Sequence, residues 1–128
     1  MHGYDEAAEL LRALSHPIRL QILELLARDG EACVCHLECS LGQRQAYISQ
    51  NLSRLRQAGL VVDRREGLNV YYSLADEALL PLLQAIQNTT TRLARASGGP
   101  VHFTFGAKGR KGKCPCPRCA PAAKPALA

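Results

Sequence analysis

Six cysteines fall into two groups of three. Cys33, Cys35 and Cys39 lie within "EACVCHLECS", residues 31 to 40, and Cys114, Cys116 and Cys119 make a C-x-C-x-x-C run near the carboxyl end. Thiolates are soft ligands that favour soft ions, and the same sulfurs oxidise when exposed. If residues 33 to 39 form one helix, Cys35 and Cys39, four apart, share a face. Cys33 would then stand about 200° round from Cys35, since a helix turns about 100° per residue. Three sulfurs on an unbroken helix diverge, so gathering them on one ion is expected to unwind or bend the first turn. His36 is read as a capping or solvent-facing side chain.

A second set of residues points to a different chemistry. In "QRQAYISQNLSRLRQAG", Ile48, Leu52 and Leu55 keep the spacing of a buried helical stripe, and Gly59 follows as a stop. Gln43, Tyr47, Gln50 and Arg54 recur on the opposite face. Gln and Asn pair two-point with adenine, and Arg with guanine, in the major groove of DNA. "LVVDRREGLNVYYSLA" then reads as two β-rich runs around Glu66 to Asn69, a hairpin with Arg64 and Arg65 at its base. The candidate DNA contacts are Gln43, Arg44, Gln45, Tyr47, Ser49, Gln50, Asn51, Arg54, Arg64 and Arg65. No nucleophile with a paired base, no phosphate-binding glycine loop and no carboxylate dyad can be placed, so no enzyme is expected.

The elements that must position these groups follow from periodicity. Ala7, Leu10, Leu11 and Leu14 predict a helix over 5–14. Pro17 suits the first turn of a second helix, whose face is Ile18, Ile22, Leu25 and Leu26 and whose end is Gly30. A short third helix carries the first cysteines and stops near Gly42. Leu79, Leu82, Leu83, Ile86 and Leu93 mark a last helix over about 76–96. A chain of 128 residues is long enough for one compact domain, expected over 1–97, with 98–128 as a flexible basic tail beginning at "SGGP". In that tail "VHFTF" alternates like a short strand.

Charge supports a polyanionic partner. Residues 1–42 carry three Arg against seven acids, whereas 43–65 carry five Arg against one acid, and after Glu77 eight Lys or Arg follow with no acid. The net +5 is thus concentrated in two zones. No apolar run approaches the ~18 residues of a membrane span. The start, "MHGYDEAAEL", lacks the order of an export signal, so a cytoplasmic location with reduced thiols is expected.

The order helix, turn, helix and basic hairpin is that of a winged helix-turn-helix, mainly α with a β-hairpin wing. Positions 13 to 76 resemble the ArsR/SmtB family of metal-sensing bacterial transcriptional repressors. The likeness rests on "HPIRLQIL", "CVC", "QAYISQNLSRLRQAGLV" and "EGLNVYYSL", four motifs in register. It implies a homodimer that binds an inverted-repeat operator in double-stranded DNA and leaves it when an ion binds. The apolar stripe over 76–96 is expected to pair with its twin and with the first helix.

Arsenic-sensing members of that family show C-V-C-D-L-C; here His36 replaces Asp, and Glu38 adds a residue before Cys39. Three thiolates suit the pyramidal preference of As(III) or Sb(III), while Cd(II), Pb(II) or Zn(II) would seek a fourth ligand. The amino-terminal cysteines of cadmium-type members are missing from 1–32. The zinc-type His and acid set on the last helix is reduced to Asp76 and Glu77. Two alternatives to an ion-responsive repressor are a thiol-based redox repressor of the same fold and a metal-buffering protein whose working part is the tail.

Overall fold

A computed structural model describes residues 2–103 of the chain. The first helix, α1, spans Gly3–Leu14, and α2 spans Pro17–Asp29. Proline opens α2 because its missing N–H is one of the four that a helix start leaves unpaired anyway. Gly30, at φ 80°, closes it and donates its N–H to the carbonyl of Leu26 at 2.8 Å. Val34–Leu41 form α3 and Gln45–Gln57 form α4, with Gly42 in the left-handed conformation between them. The pair α3 and α4 is the helix-turn-helix.

Its position is set by the core. Ile22, Leu23 and Leu25 of α2, Leu37 of α3, and Ile48, Leu52 and Leu55 of α4 are completely buried. Full burial of such a side chain is worth about 1.5–3 kcal/mol, so α2 is the shared wall against which the helix-turn-helix packs. The stripes read for α2 and α4 are the buried ones. Leu23, off the expected α2 stripe, is buried too, since α2 is covered on more than one side.

Three strands complete the fold, in the order β1-β3-β2. Val61–Glu66 (β2) and Asn69–Leu74 (β3) are antiparallel and end at the pair Glu66↔Asn69, leaving a two-residue turn at Gly67 and Leu68. Such a turn requires positive φ, which Gly67 supplies at 62°. The remaining strand, β1, is only Ala32–Cys33. It pairs with the inner edge of the wing, Ala32 opposite Tyr72 and Cys33 opposite Tyr71. Nothing in the periodicity announces so short a strand.

The last helix, α5, runs Leu79–Ser97, three residues later than its expected start. Asp76 accepts the N–H of Ala78 through its side chain at 2.8 Å, a local turn that competes with helix. The apolar stripe of α5 is divided. Leu79 and Leu83 are buried within the chain, and Leu82 and Ile86 pack against the same core. Only Leu93 of the five expected stripe residues is well exposed, together with Leu80 and, on α1, Leu11 and Tyr4. Residues 101–103 have no regular structure, so the strand suggested by their alternation does not form there. Cys114, Cys116, Cys119 and their basic neighbours lie outside the described residues. No helix among the described residues is long and apolar enough to cross a membrane.

Candidate nucleic-acid interface and thiol site

The outer face of α4 and the two residues before it carry the expected reading residues. Gln43, Arg44, Gln45, Tyr47, Ser49, Gln50 and Arg54 are all exposed, because Ile48, Leu52 and Leu55 hold the opposite face in the core. Tyr47, Gln50 and Arg54 border an open groove that α4 shares with Arg12 and His16 near α1. α4 contributes no carboxylate to this groove, whereas α1 contributes Glu6 and Glu9.

Two of the expected DNA contacts are otherwise employed. Asn51 is 6% exposed. Its carbonyl oxygen accepts from Arg19 Nε at 3.0 Å, and its amide donates to the backbone oxygen of Tyr47 at 2.9 Å. Arg19 also donates to the carbonyl of Ala13 at 3.2 Å. Asn51 therefore braces α4 against α2 and the end of α1, with its side chain committed to these partners at the border of the groove. Its position beside Leu52 on the inward face carried the signal, since a polar residue on a core stripe needs an internal partner.

Arg64 is the second such residue. Its Nε donates to Glu31 Oε2 at 3.1 Å, its Nη2 to Glu31 Oε1 at 2.7 Å and its Nη1 to Glu66 Oε2 at 2.8 Å. The guanidinium lies 5.0 Å from the Tyr71 ring centroid. Glu31, then Glu66, push the Arg64 guanidinium above its ordinary value. These partners tie the half-exposed Arg64 side chain to the start of β1 as well as to its own strand. Arg65, next along the strand, is exposed and alternates to the other face of the sheet.

The thiol site differs from expectation in one decisive respect. Cys33 does not belong to the helix. It is the N-cap residue of α3, with extended backbone at φ −84°, ψ 166°, and its sulfur accepts the N–H of His36 at 3.4 Å. Pairing with Tyr71 holds it extended, so the 200° divergence reckoned for an unbroken helix does not arise. Cys33 Sγ and Cys35 Sγ stand 2.9 Å apart, and neither is in a disulfide. Cys33 is buried, whereas Cys35 and Cys39 are partly accessible.

Cys39 occupies the next turn of α3 and packs, with Cys35, against Cys33 and Tyr71. Among the described residues no group of three or more His, Cys, Asp or Glu is gathered closely enough to hold a metal ion. The preformed unit is the Cys33–Cys35 pair, with Cys39 one turn away. His36 neither caps nor points to solvent. Its Nε2 is 2.9 Å from Asp29 Oδ2, which fixes the α3 start to the α2 end. Arg28 donates to both oxygens of Asp29, at 2.8 and 3.1 Å. Chiefly through Arg28, and with help from His36 against the opposing effect of burial, the Asp29 carboxyl is held down at about 2.

An exposed helix of amides and guanidinium presented by a buried helical wall, followed by a two-stranded wing, defines a winged helix-turn-helix DNA-binding transcriptional regulator. Comparison with known proteins narrows this. Residues 16–62 match the family model described as "Bacterial regulatory protein, arsR family". The arsenic resistance transcriptional regulator ArsR2 of Pseudomonas putida is 36% identical over 104 residues, covering 73% of this chain and 90% of that protein. The crystal structure of Rv0081 from M. tuberculosis superposes with a TM-score of 0.69 at 34% identity, covering 75% of this chain and 96% of that one. A homodimeric winged helix-turn-helix domain from Mycobacterium bovis gives a TM-score of 0.62 at 34% identity, covering 80% and 90%. The chain belongs to the ArsR family of bacterial regulatory proteins. The family and fold are those of transcriptional regulators and not of enzymes.

Proposed function

We propose that the chain is a metal(loid)-responsive repressor that binds operator DNA as a homodimer and leaves it when a soft ion, As(III) in first place, takes the Cys33 and Cys35 sulfurs. The observation that carries this reading is the 2.9 Å approach of the two sulfurs at the entrance of the helix-turn-helix. Two sulfurs held about 2.3 Å from one ion, the zinc–thiolate distance, stand roughly 3.5 Å apart at a pyramidal angle near 100° and roughly 3.8 Å apart at a tetrahedral one. The pair needs to open by less than about 1 Å, so α3 need not unwind. Arsenous acid gives up one hydroxyl per thiol: As(OH)3 and two thiols form a dithioarsenite and two waters, with no change of oxidation state. Cys39 would add a third sulfur and release a third water. The relative in P. putida is named for arsenic resistance, which favours this ion over Sb(III), Cd(II), Pb(II) or Zn(II).

Dimerisation would use the exposed Tyr4 and Leu11 of α1 with Leu80 and Leu93 of α5. Two-fold symmetry would then place two copies of α4 in successive major grooves, about 34 Å apart. Gln43, Gln50 and Arg54 would read bases, with Tyr47 and Ser49 beside them and Arg44, Gln45 and Arg65 near the backbone. A cytoplasmic setting agrees with reduced thiols. The basic tail with Cys114, Cys116 and Cys119 would add sequence-independent DNA affinity and a further soft-ion site.

The same sulfur approach favours a second reading, in which peroxide oxidises Cys33 and Cys35 to a disulfide with formation of two waters. Operator-release titrations with arsenite and with peroxide separate the two. Under reducing conditions arsenite is expected to release the wild-type protein, while Cys33→Ser and Cys35→Ser bind operator but do not respond. Full arsenite response in either variant would remove that residue from the site, and release by peroxide alone would select the redox reading.

A further inference from the structure

We infer that Glu31, Tyr71 and Arg64 link the Cys33–Cys35 pair to the wing, with Arg64 as the positioning residue that sets where the wing stands. This deepens the thiol-site reading above and rests on it. Cys33, Tyr71 and Arg64 are register partners across all three strands, Cys33 opposite Tyr71 and Tyr71 opposite Arg64. Directly opposed residues of an antiparallel ladder project from one face, with Cβ atoms about 4.5–5.5 Å apart, so the three side chains stand in a row. The Tyr71 ring, 4% exposed, packs on Cys33 on one side. On the other it lies 5.0 Å from the Arg64 guanidinium.

Glu31 closes this row into a loop. It sits two residues before Cys33 and takes both Nε and Nη2 of Arg64, at 3.1 and 2.7 Å. Two-point pairing of this kind fixes orientation as well as distance. The wing is thereby tied to the cysteine segment at two places, through the ring and through the carboxylate. Moving Cys33 Sγ to admit an ion presses on Tyr71 and shifts the backbone of residues 31–33, and both displacements arrive at Arg64. The pair of Arg64 with Glu66, at 2.8 Å, lies wholly within β2 and cannot transmit motion from the cysteines. It provides the internal control.

The test uses the full chain, reduced and isotope-labelled, titrated with arsenite. Amide signals of Cys33 and Val34 report the site, and those of Gly67 and Leu68 report the wing tip. In wild type and in Glu66→Gln, site and wing signals are expected to move together. In Glu31→Gln the site signals should titrate over the same arsenite range while the wing displacement largely disappears. Arg64→Lys, which keeps the charge but loses the two-point geometry, should behave as Glu31→Gln does. The operator weakening caused by arsenite, expected at about 5- to 150-fold in wild type, should fall towards no change in both. Undiminished wing displacement in Glu31→Gln overturns the link and leaves the thiol site standing. Equal loss in Glu66→Gln also overturns it, because the effect would then be general wing stability. Absence of any arsenite effect at Cys33 and Val34 in wild type overturns the thiol reading, and the link with it.

Discussion

Replacing Asn51 by Ala separates a brace from a base contact. The side chain is 6% exposed and makes one hydrogen bond with a charged donor, Arg19 Nε, and one with a neutral acceptor, the Tyr47 carbonyl. A net contribution of about 1.5–3 kcal/mol is usual for the first and about 1 kcal/mol for the second. Alanine returns roughly 0.6 kcal/mol of helix propensity, so a loss of about 2–3 kcal/mol is expected. Urea unfolding at one fixed protein concentration should show a lower midpoint with an unchanged slope. In a double-mutant cycle with Arg19→Ala the two changes should couple by more than about 1 kcal/mol, as expected for residues in direct contact. The ratio of operator to scrambled-sequence affinity should change little at temperatures where the variant is folded. Wild-type stability combined with lost discrimination would refute the brace and restore Asn51 to the reading face.

The remaining predictions concern the groove, the acid side of the stability profile and a partly buried carboxylate. Arg54→Ala should lower base discrimination by ~1–3 kcal/mol; an unchanged footprint and specificity would count against the α4 face as the reading surface. The Asp29 carboxyl, at about 2 when folded against 3.8 otherwise, contributes stability that is present above the higher value and is lost as pH falls through the lower. Asp29→Asn should therefore flatten the melting profile between those two pH values, and a profile parallel to wild type would exclude the Arg28–Asp29–His36 cluster as its source. Burial raises the Glu24 carboxyl above its usual 4.5 although Gln87 donates to it. Its contribution is then full at low pH and declines as pH rises through the folded value. Glu24→Gln should melt higher than wild type at pH 7 and converge with it near pH 4; a lower melting temperature at pH 7 would contradict this.

Much of the architecture was legible because it depends on period and punctuation. Apolar spacing marked α2 and α4, Pro17 and Gly30 bracketed α2, Gly42 closed α3, and two β-rich runs around a Gly-containing turn marked the wing. These signals are local, and a hydrophobic stripe needs only some wall to pack against. The exposed side of α4 followed as the complement of that stripe. The intramolecular partners of Asn51 and Arg64 were not legible, because residue type shows hydrogen-bonding capacity but not the partner. Asn51 finds Arg19 across a helix–helix contact, and Arg64 finds Glu31 across the sheet.

By itself the sequence determined the winged helix-turn-helix, its buried stripes, and the crowding of three sulfurs ahead of the reading helix. Tertiary structure alone decided how those sulfurs meet. A two-residue strand, too short to have any period, is held extended by pairing with Tyr71 and Tyr72, which takes Cys33 out of α3 and brings its sulfur to Cys35. Strand pairing is a contact between residues nearly forty apart in the chain, and its energy belongs to both partners, so no reading of residues 31 to 40 alone contains it.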